Sequence, residues 1–268
     1  MGHLHQGFSA TDREQFDTRG LVRLPGLIDR AAVEEMVDKL WRELARKDGV
    51  HRREPRTWRV ERPAQFRALQ DSGAFKAMGG PAVRAVLDDL MGRDRWEAPE
   101  HWGQPLVCFP KPHGRWDVPT QSWHLDLPAH PGNRNKLVGR VFLLLAPLRP
   151  RGGGTLVALG SHRIVDRIVG RAGERLSSAD VRKQLKSHHR WFHDLMTPDK
   201  SRRDRTAGFM EAETEVDGVA LQIEEMTGEP GDVLLMHPSA LHAAAPNMLT
   251  EPRLALTQFV MPKGWQGP

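Results

Sequence analysis

From Pro105 onward the chain is a series of short apolar runs, each stopped by glycine or proline, and that rhythm leaves few folds open. Residues 105–109, 137–146, 155–159, 219–223, 232–236 and 254–261 have the length, composition and boundaries of strands. The first hundred residues follow a different period. Val33, Met36, Val37, Leu40, Trp41 and Leu44 recur at helical spacing and form one apolar stripe, with Asp29 as candidate N-cap. Thr11 with Glu14 reads as a capping box opening a shorter helix, 21–24 as a short strand, and 81–90 as a helix led by proline, whose missing N–H costs nothing there. Flanking helices followed by many short strands predict a mainly β fold, a double-stranded β-helix or jelly-roll, cupin-like barrel. A single domain over 1–268 is expected, with the helical region at about 1–100 and the barrel at about 101–262.

One segment breaks the rhythm. Residues 163–218 form a basic insertion between strands, read equally as a lid over a site or as a solvated helical excursion. It carries His188, His189 and His193. The last two would share a helix face, but no glutamate lies between them as a zinc-protease pattern requires, so they are read as surface or substrate-contact residues.

Composition narrows the setting. No uninterrupted apolar run is long enough to cross a bilayer, and the first residues form neither an apolar signal segment nor a myristoylation site. The single cysteine, Cys108, excludes an internal disulfide and fits a reducing, cytoplasmic location. Lysine and arginine exceed the acids by 39 − 34 = 5. The arginines are spread beside acids, as in Arg13-Glu14 and Arg42-Glu43, so the excess argues for an anionic small molecule or a solvated surface rather than nucleic acid.

The chemistry-bearing residues begin with His124-Leu125-Asp126. On a strand, residues two apart project to one face, so His124 and Asp126 can point at one ion while Leu125 faces away. Two imidazoles and a carboxylate are the facial triad that holds non-haem Fe(II) with sites left open. The second imidazole must come from another element, and both His237 and His242 are available. Eleven residues after His242 lies Arg253, at the start of a run that reads as a strand, where a guanidinium can hold a carboxylate in a bidentate fork. Trp123, beside the first ligand, points away from the ion by alternation.

Four segments in order resemble the phytanoyl-CoA dioxygenase family of Fe(II)/2-oxoglutarate oxygenases. These are the helix–strand–helix opening from Thr11 to Ile28, Trp123-His-Leu-Asp126, Gly153 to Ser161-His162, and Gly231 to Asn247 followed by Pro252-Arg253. The resemblance implies His124, Asp126 and His242 as ligands, selecting His242 over His237, with Arg253 as the co-substrate arginine. It implies Fe(II), 2-oxoglutarate and O2 as reaction partners and a small organic substrate, with succinate and CO2 released. The carboxylate at Asp126 implies hydroxylation or a related oxidation rather than halogenation, in which a small residue replaces it. Ala244 departs from the pattern, since many members carry a hydroxyl there that helps hold the co-substrate; Gln121, Thr155 and Thr257 are candidates for the missing anchor. Two other readings stand beside the oxygenase: a catalytically silent jelly-roll binding protein, and a zinc hydrolase on the same ligands.

Overall fold

The computed structural model describes residues 7–111, 115–131, 139–198 and 204–265. Its centre is two antiparallel sheets face to face. The larger contains β1 (Leu21–Leu24), β2 (Trp96–Glu97), β3 (Gln104–Cys108), β4 (Gly139–Leu144), β8 (Val233–Met236) and β10 (Arg253–Pro262). The order is β1-β8-β4-β10-β2, with β3 also on β10. The smaller contains β5 (Thr155–Leu159), β6 (Thr214–Val216), β7 (Val219–Glu225) and β9 (His242–Ala244), in the order β6-β7-β5-β9. This is the jelly-roll arrangement that the strand rhythm predicts. Three strands were not legible: β2, β6 and β9 have two or three residues each, too few to carry a period.

Alternation along each strand sorts side chains between layers. On β4, Val141 and Leu143 face outward, while Phe142 and Leu144 face the space between the sheets. Both faces are therefore buried, and all six residues of β4 are covered. The outward side chains meet α1 (Ala10–Arg19), α2 (Arg30–Asp48) and α4 (Pro81–Met91). In α2 the six stripe residues are all buried, and Asp29 accepts from the Ala31 and Ala32 N–H groups as an N-cap. Each such side chain removed from water contributes about 1.5–3 kcal/mol before ordering costs.

The first helix differs from its expected start. Ser9 is the N-cap, with Asp12 completing the capping box, and not Thr11 with Glu14. A short hydroxyl residue three before an acid occurs at both positions, and the one that prevails directly follows Phe8, whose ring meets Phe16 edge-on at 6.4 Å.

The outer face of the smaller sheet is covered by the insertion. α5 (Ser161–Ala172), α6 (Ser178–His188) and α7 (Arg190–Leu195) pack Ile164, Val165, Val181, Leu185 and Phe192 against Leu156, Ala158, Leu221 and Ile223. The helices thus bury an apolar face on the sheet, beyond what a solvated excursion requires. Positions 200–203 of the basic stretch, like 1–6 and 137–138, lie outside the described residues. Among the described residues no helix is long and apolar enough to cross a membrane.

Candidate metal centre

His124 belongs to no regular strand. It forms a single antiparallel bridge with His242: its N–H donates to the His242 carbonyl at 2.9 Å, and the return bond is 3.1 Å. That one rung brings together two histidines 118 positions apart (242 − 124), with ring centroids 4.3 Å apart. The expected alternation survives locally. Leu125 is buried among the α5–α7 layer, its N–H donating to Ser178 Oγ, while Asp126 turns back beside the rings.

The ligand atoms converge. His242 Nε2 lies 3.3 Å from Asp126 Oδ2 and His124 Nε2 lies 3.6 Å from Oδ1. Groups bound at about 2.0–2.2 Å to one ion stand about 3–4 Å apart, so this spacing fits a shared cation. His124 Nδ1 faces the Ser122 carbonyl at 2.8 Å, and His242 Nδ1 faces the Ala240 carbonyl at 3.0 Å. A carbonyl can only accept, so each Nδ1 carries a proton, and whenever a ring is neutral its Nε2 presents the lone pair. Asp126 Oδ2 is buried without a hydrogen bond. No other group of three His, Cys, Asp or Glu among the described residues converges in this way, so His188, His189 and His193 do not form a second centre.

Burial opposes the Asp126 charge, but contact with His124 and His242 and the charges of His242 and Arg140 prevail, holding its carboxyl well below the usual range. The contact pushes His124 up in turn. Arg140 had no sequence signal. It is the second residue of β4, with register partners Phe259 and Met236, and its Nε lies 3.0 Å from Asp126 Oδ2, an ion contact whose angle is not that of a hydrogen bond.

Arg253 opens β10 on the inward face, two residues from Ala255 in the inner core. Its Nη1 donates to the Gly153 carbonyl at 2.7 Å, while Nε is buried without a partner. The Gly153 carbonyl belongs to a glycine-rich turn held by Glu225, which accepts from the Arg151 N–H at 2.7 Å and the Gly154 N–H at 2.9 Å. Burial pushes Arg253 below its ordinary value, opposed by Cys108 and Glu225 nearby. On β5 and β9, Thr155 pairs with Ala244, and Val157 with His242. The His124–His242 rung therefore sits at the level of Val157, and Gly153 lies four residues along, about 13 Å of strand. Thr155 stands directly opposite the departing Ala244; Thr257 instead donates to the Val141 carbonyl, and Gln121 lies exposed in a surface cleft beside Arg182 and Lys186. A groove of about 1030 Å³ is lined by Trp41, Trp58 and Leu254 on the outer side of the larger sheet and includes none of the three candidate ligands.

Residues 16–255 match the family profile for phytanoyl-CoA dioxygenase (PhyH). The chain belongs to the phytanoyl-CoA dioxygenase family. A search of curated proteins by sequence found no match. Among solved structures, EctD from S. alaskensis with 2-oxoglutarate and 5-hydroxyectoine is similar at 17% identity and TM-score 0.58, covering 97% of this chain and 78% of that one. HygX from Streptomyces hygroscopicus, with nickel and 2-oxoglutarate, matches at 17% identity and 0.53, covering 97% and 90%. The epimerase SnoN, with Fe3+, alpha ketoglutarate and nogalamycin RO, matches at 17% and 0.52, covering 92% and 81%. At these identities the likeness is one of fold, and it agrees with the jelly-roll reading.

The Gly-Ser-His stretch, visible in sequence without a role, braces this centre. Ser161 Oγ accepts the Leu241 N–H at 2.9 Å, fixing the residue before His242. His162 Nε2–H donates to the Asp17 carbonyl at 3.0 Å, tying α1 to the barrel. Gly20 caps α1 with φ +75°, and a Cβ there would lie 2.5 Å from His162 Nδ1, so glycine is required twice over. His237, the rival ligand, stacks on His162 with centroids 4.6 Å apart and accepts the Ser239 N–H. It takes no part in the metal centre.

Burial pushes His162 down to about 4 and His237 well below its ordinary value. Both are neutral in the fold, whereas unfolded imidazoles titrate near 6.5. Their contribution is therefore complete above about pH 6.5 and is lost as pH falls through about 4, amounting to about 3 kcal/mol for His162. Denaturant midpoints of His162→Gln are expected to fall less than those of the native protein between pH 7 and pH 4.5. An equal fall would remove His162 as the cause.

Proposed function

We propose that the chain is an Fe(II)/2-oxoglutarate-dependent oxygenase that hydroxylates, or otherwise oxidises, a small organic molecule. His124, Asp126 and His242 would hold the metal and Arg253 the far carboxylate of 2-oxoglutarate. The observation that carries this is the convergence of two oriented Nε2 atoms on Asp126, in a family member whose inward-facing Arg253 keeps an unpartnered N–H. When bound, iron would activate O2 as the oxidant, and 2-oxoglutarate would supply two of the electrons, taking up one oxygen atom as it is released as succinate and CO2 and leaving the other for the substrate.

The chain's own residues do the positioning. The Ser122 and Ala240 carbonyls fix both rings, and Asp126 keeps the carboxylate that favours oxidation over halogenation. Thr155 offers the hydroxyl absent at Ala244. The half-exposed His124 marks the open side, through which a small molecule enters, while the inner core of Phe142, Leu144, Leu234 and Met236 excludes water behind it. Buried, unpaired Cys108 suits a reducing, cytoplasmic setting.

The test is anaerobic loading with Fe(II) and titration with 2-oxoglutarate, with zinc-loaded protein as control. A weak visible charge-transfer band, saturating with co-substrate and absent with zinc, is the expected result. Tight iron binding with no band would instead favour the silent binding protein.

A further inference from the structure

Arg140 is a cation placed in the metal centre without a hydrogen bond. Its residue is 9% exposed, and none of its N–H groups makes a hydrogen bond among the described residues. Its one polar contact is the misaligned approach to Asp126 Oδ2 at 3.0 Å. The guanidinium carbon lies 3.9 Å from the ring centroid of its strand neighbour Phe259 and 5.1 Å from that of Phe142. Cation–π contact with two rings restrains the group and leaves its N–H donors free to meet an anion.

Electrostatics give the guanidinium a purpose. A divalent ion and Arg140, set against the Asp126 carboxylate and the near carboxylate of a bound 2-oxoglutarate, leave one positive charge uncompensated beside the open His124 side. A buried charge of that kind is costly unless an anion meets it. Arg253 cannot serve the same end of a ligand. Arg140 pairs with Phe259, six residues along β10 from Arg253, about 20 Å of strand.

Resting on the oxygenase reading, we infer that Arg140 is a specificity-determining residue that receives a carboxylate, or a like oxyanion, of the primary substrate beside the metal. The enzyme's substrates are then small organic acids or their phosphorylated or sulfonated counterparts, oriented with the anion on Arg140.

A carboxylate could also come from 2-oxoglutarate, and the test separates the two. Anaerobic Fe(II) protein saturated with 2-oxoglutarate is titrated with acetate, benzoate and inorganic phosphate, with benzamide as the neutral control, following the visible band. At least one anion is expected to shift the band saturably and benzamide not. Arg140→Gln should weaken that anion about tenfold or more, with 2-oxoglutarate affinity within about threefold of native on the same scale. Arg140→Lys should recover part of the anion affinity, which a purely structural role for Arg140 would not produce. Circular dichroism and iron binding establish that each variant is folded and loaded. Loss of 2-oxoglutarate affinity in Arg140→Gln would assign the anion to the co-substrate and overturn the inference. So would a native protein that binds none of the anions. Absence of any 2-oxoglutarate band in the native protein is a different failure, that of the oxygenase reading.

Discussion

Asp126→Ala is expected to abolish turnover and to weaken Fe(II) binding by about a hundredfold or more, since even partners that only orient a ligand cost about 10–100-fold. The substitution removes one of the three proposed ligands and also, among the described residues, the only acid paired with Arg140. Leaving a buried cation alone costs up to about 3–5 kcal/mol in closed interiors. Here the cost should be smaller, because Asp126 keeps 18% of its side-chain surface and water can reach the gap. Fold loss and site loss are therefore separable. Denaturation of the metal-free variant reads the first, and iron titration by calorimetry reads the second. Asp126→Asn keeps the shape and should retain more stability while still binding iron poorly. Native iron affinity in a folded Asp126→Ala protein would remove Asp126 from the ligand set.

The sequence spoke clearly where a period or a cap was at stake. The α2 stripe and its Asp29 cap, the strand rhythm and the antiparallel jelly roll were all legible because burial repeats with the backbone. The convergence of His124, Asp126 and His242 was expected on another ground: His-x-Asp is a weak signal alone, and the family resemblance selected His242 over His237. What was hidden depends on register. Nothing in Gly139-Arg140-Val141 announces a guanidinium at the metal centre; that follows only when β4 pairs with β10 and sets Arg140 against Phe259. Glu225 carried no sequence signal; the pairing of β7 with β5 brings it under the Arg151–Gly154 turn. The bridge between His124 and His242 is a single rung, below the length at which alternation can be read. Ser161 is similar, since its role depends on Leu241 lying across from it.

Arg253→Ala tests the other half of the centre, and it should spare the metal. The guanidinium is buried, fixed at one end by the Gly153 carbonyl, and has an Nε–H with no partner. A carboxylate docking there would gain charge-assisted bonds worth about 1.5–3 kcal/mol each, so losing the fork should weaken 2-oxoglutarate by about a hundredfold. Iron affinity should stay near native, because Arg253 lies about four strand residues from the ligand level. Some stability will go as well, since Gly153 loses its donor and Glu225 a neighbouring cation. Arg253→Lys sorts these contributions: it keeps a charge near Glu225 but cannot make two parallel bonds to a carboxylate. Stability should then return largely to native while 2-oxoglutarate affinity recovers only in part. Calorimetry with the nickel-loaded protein gives co-substrate affinity without turnover. If Arg253→Ala bound 2-oxoglutarate as tightly as the native protein, the co-substrate's far carboxylate would have to lie elsewhere. The buried Nε–H of Arg253 would then be a structural cost with no ligand to offset it.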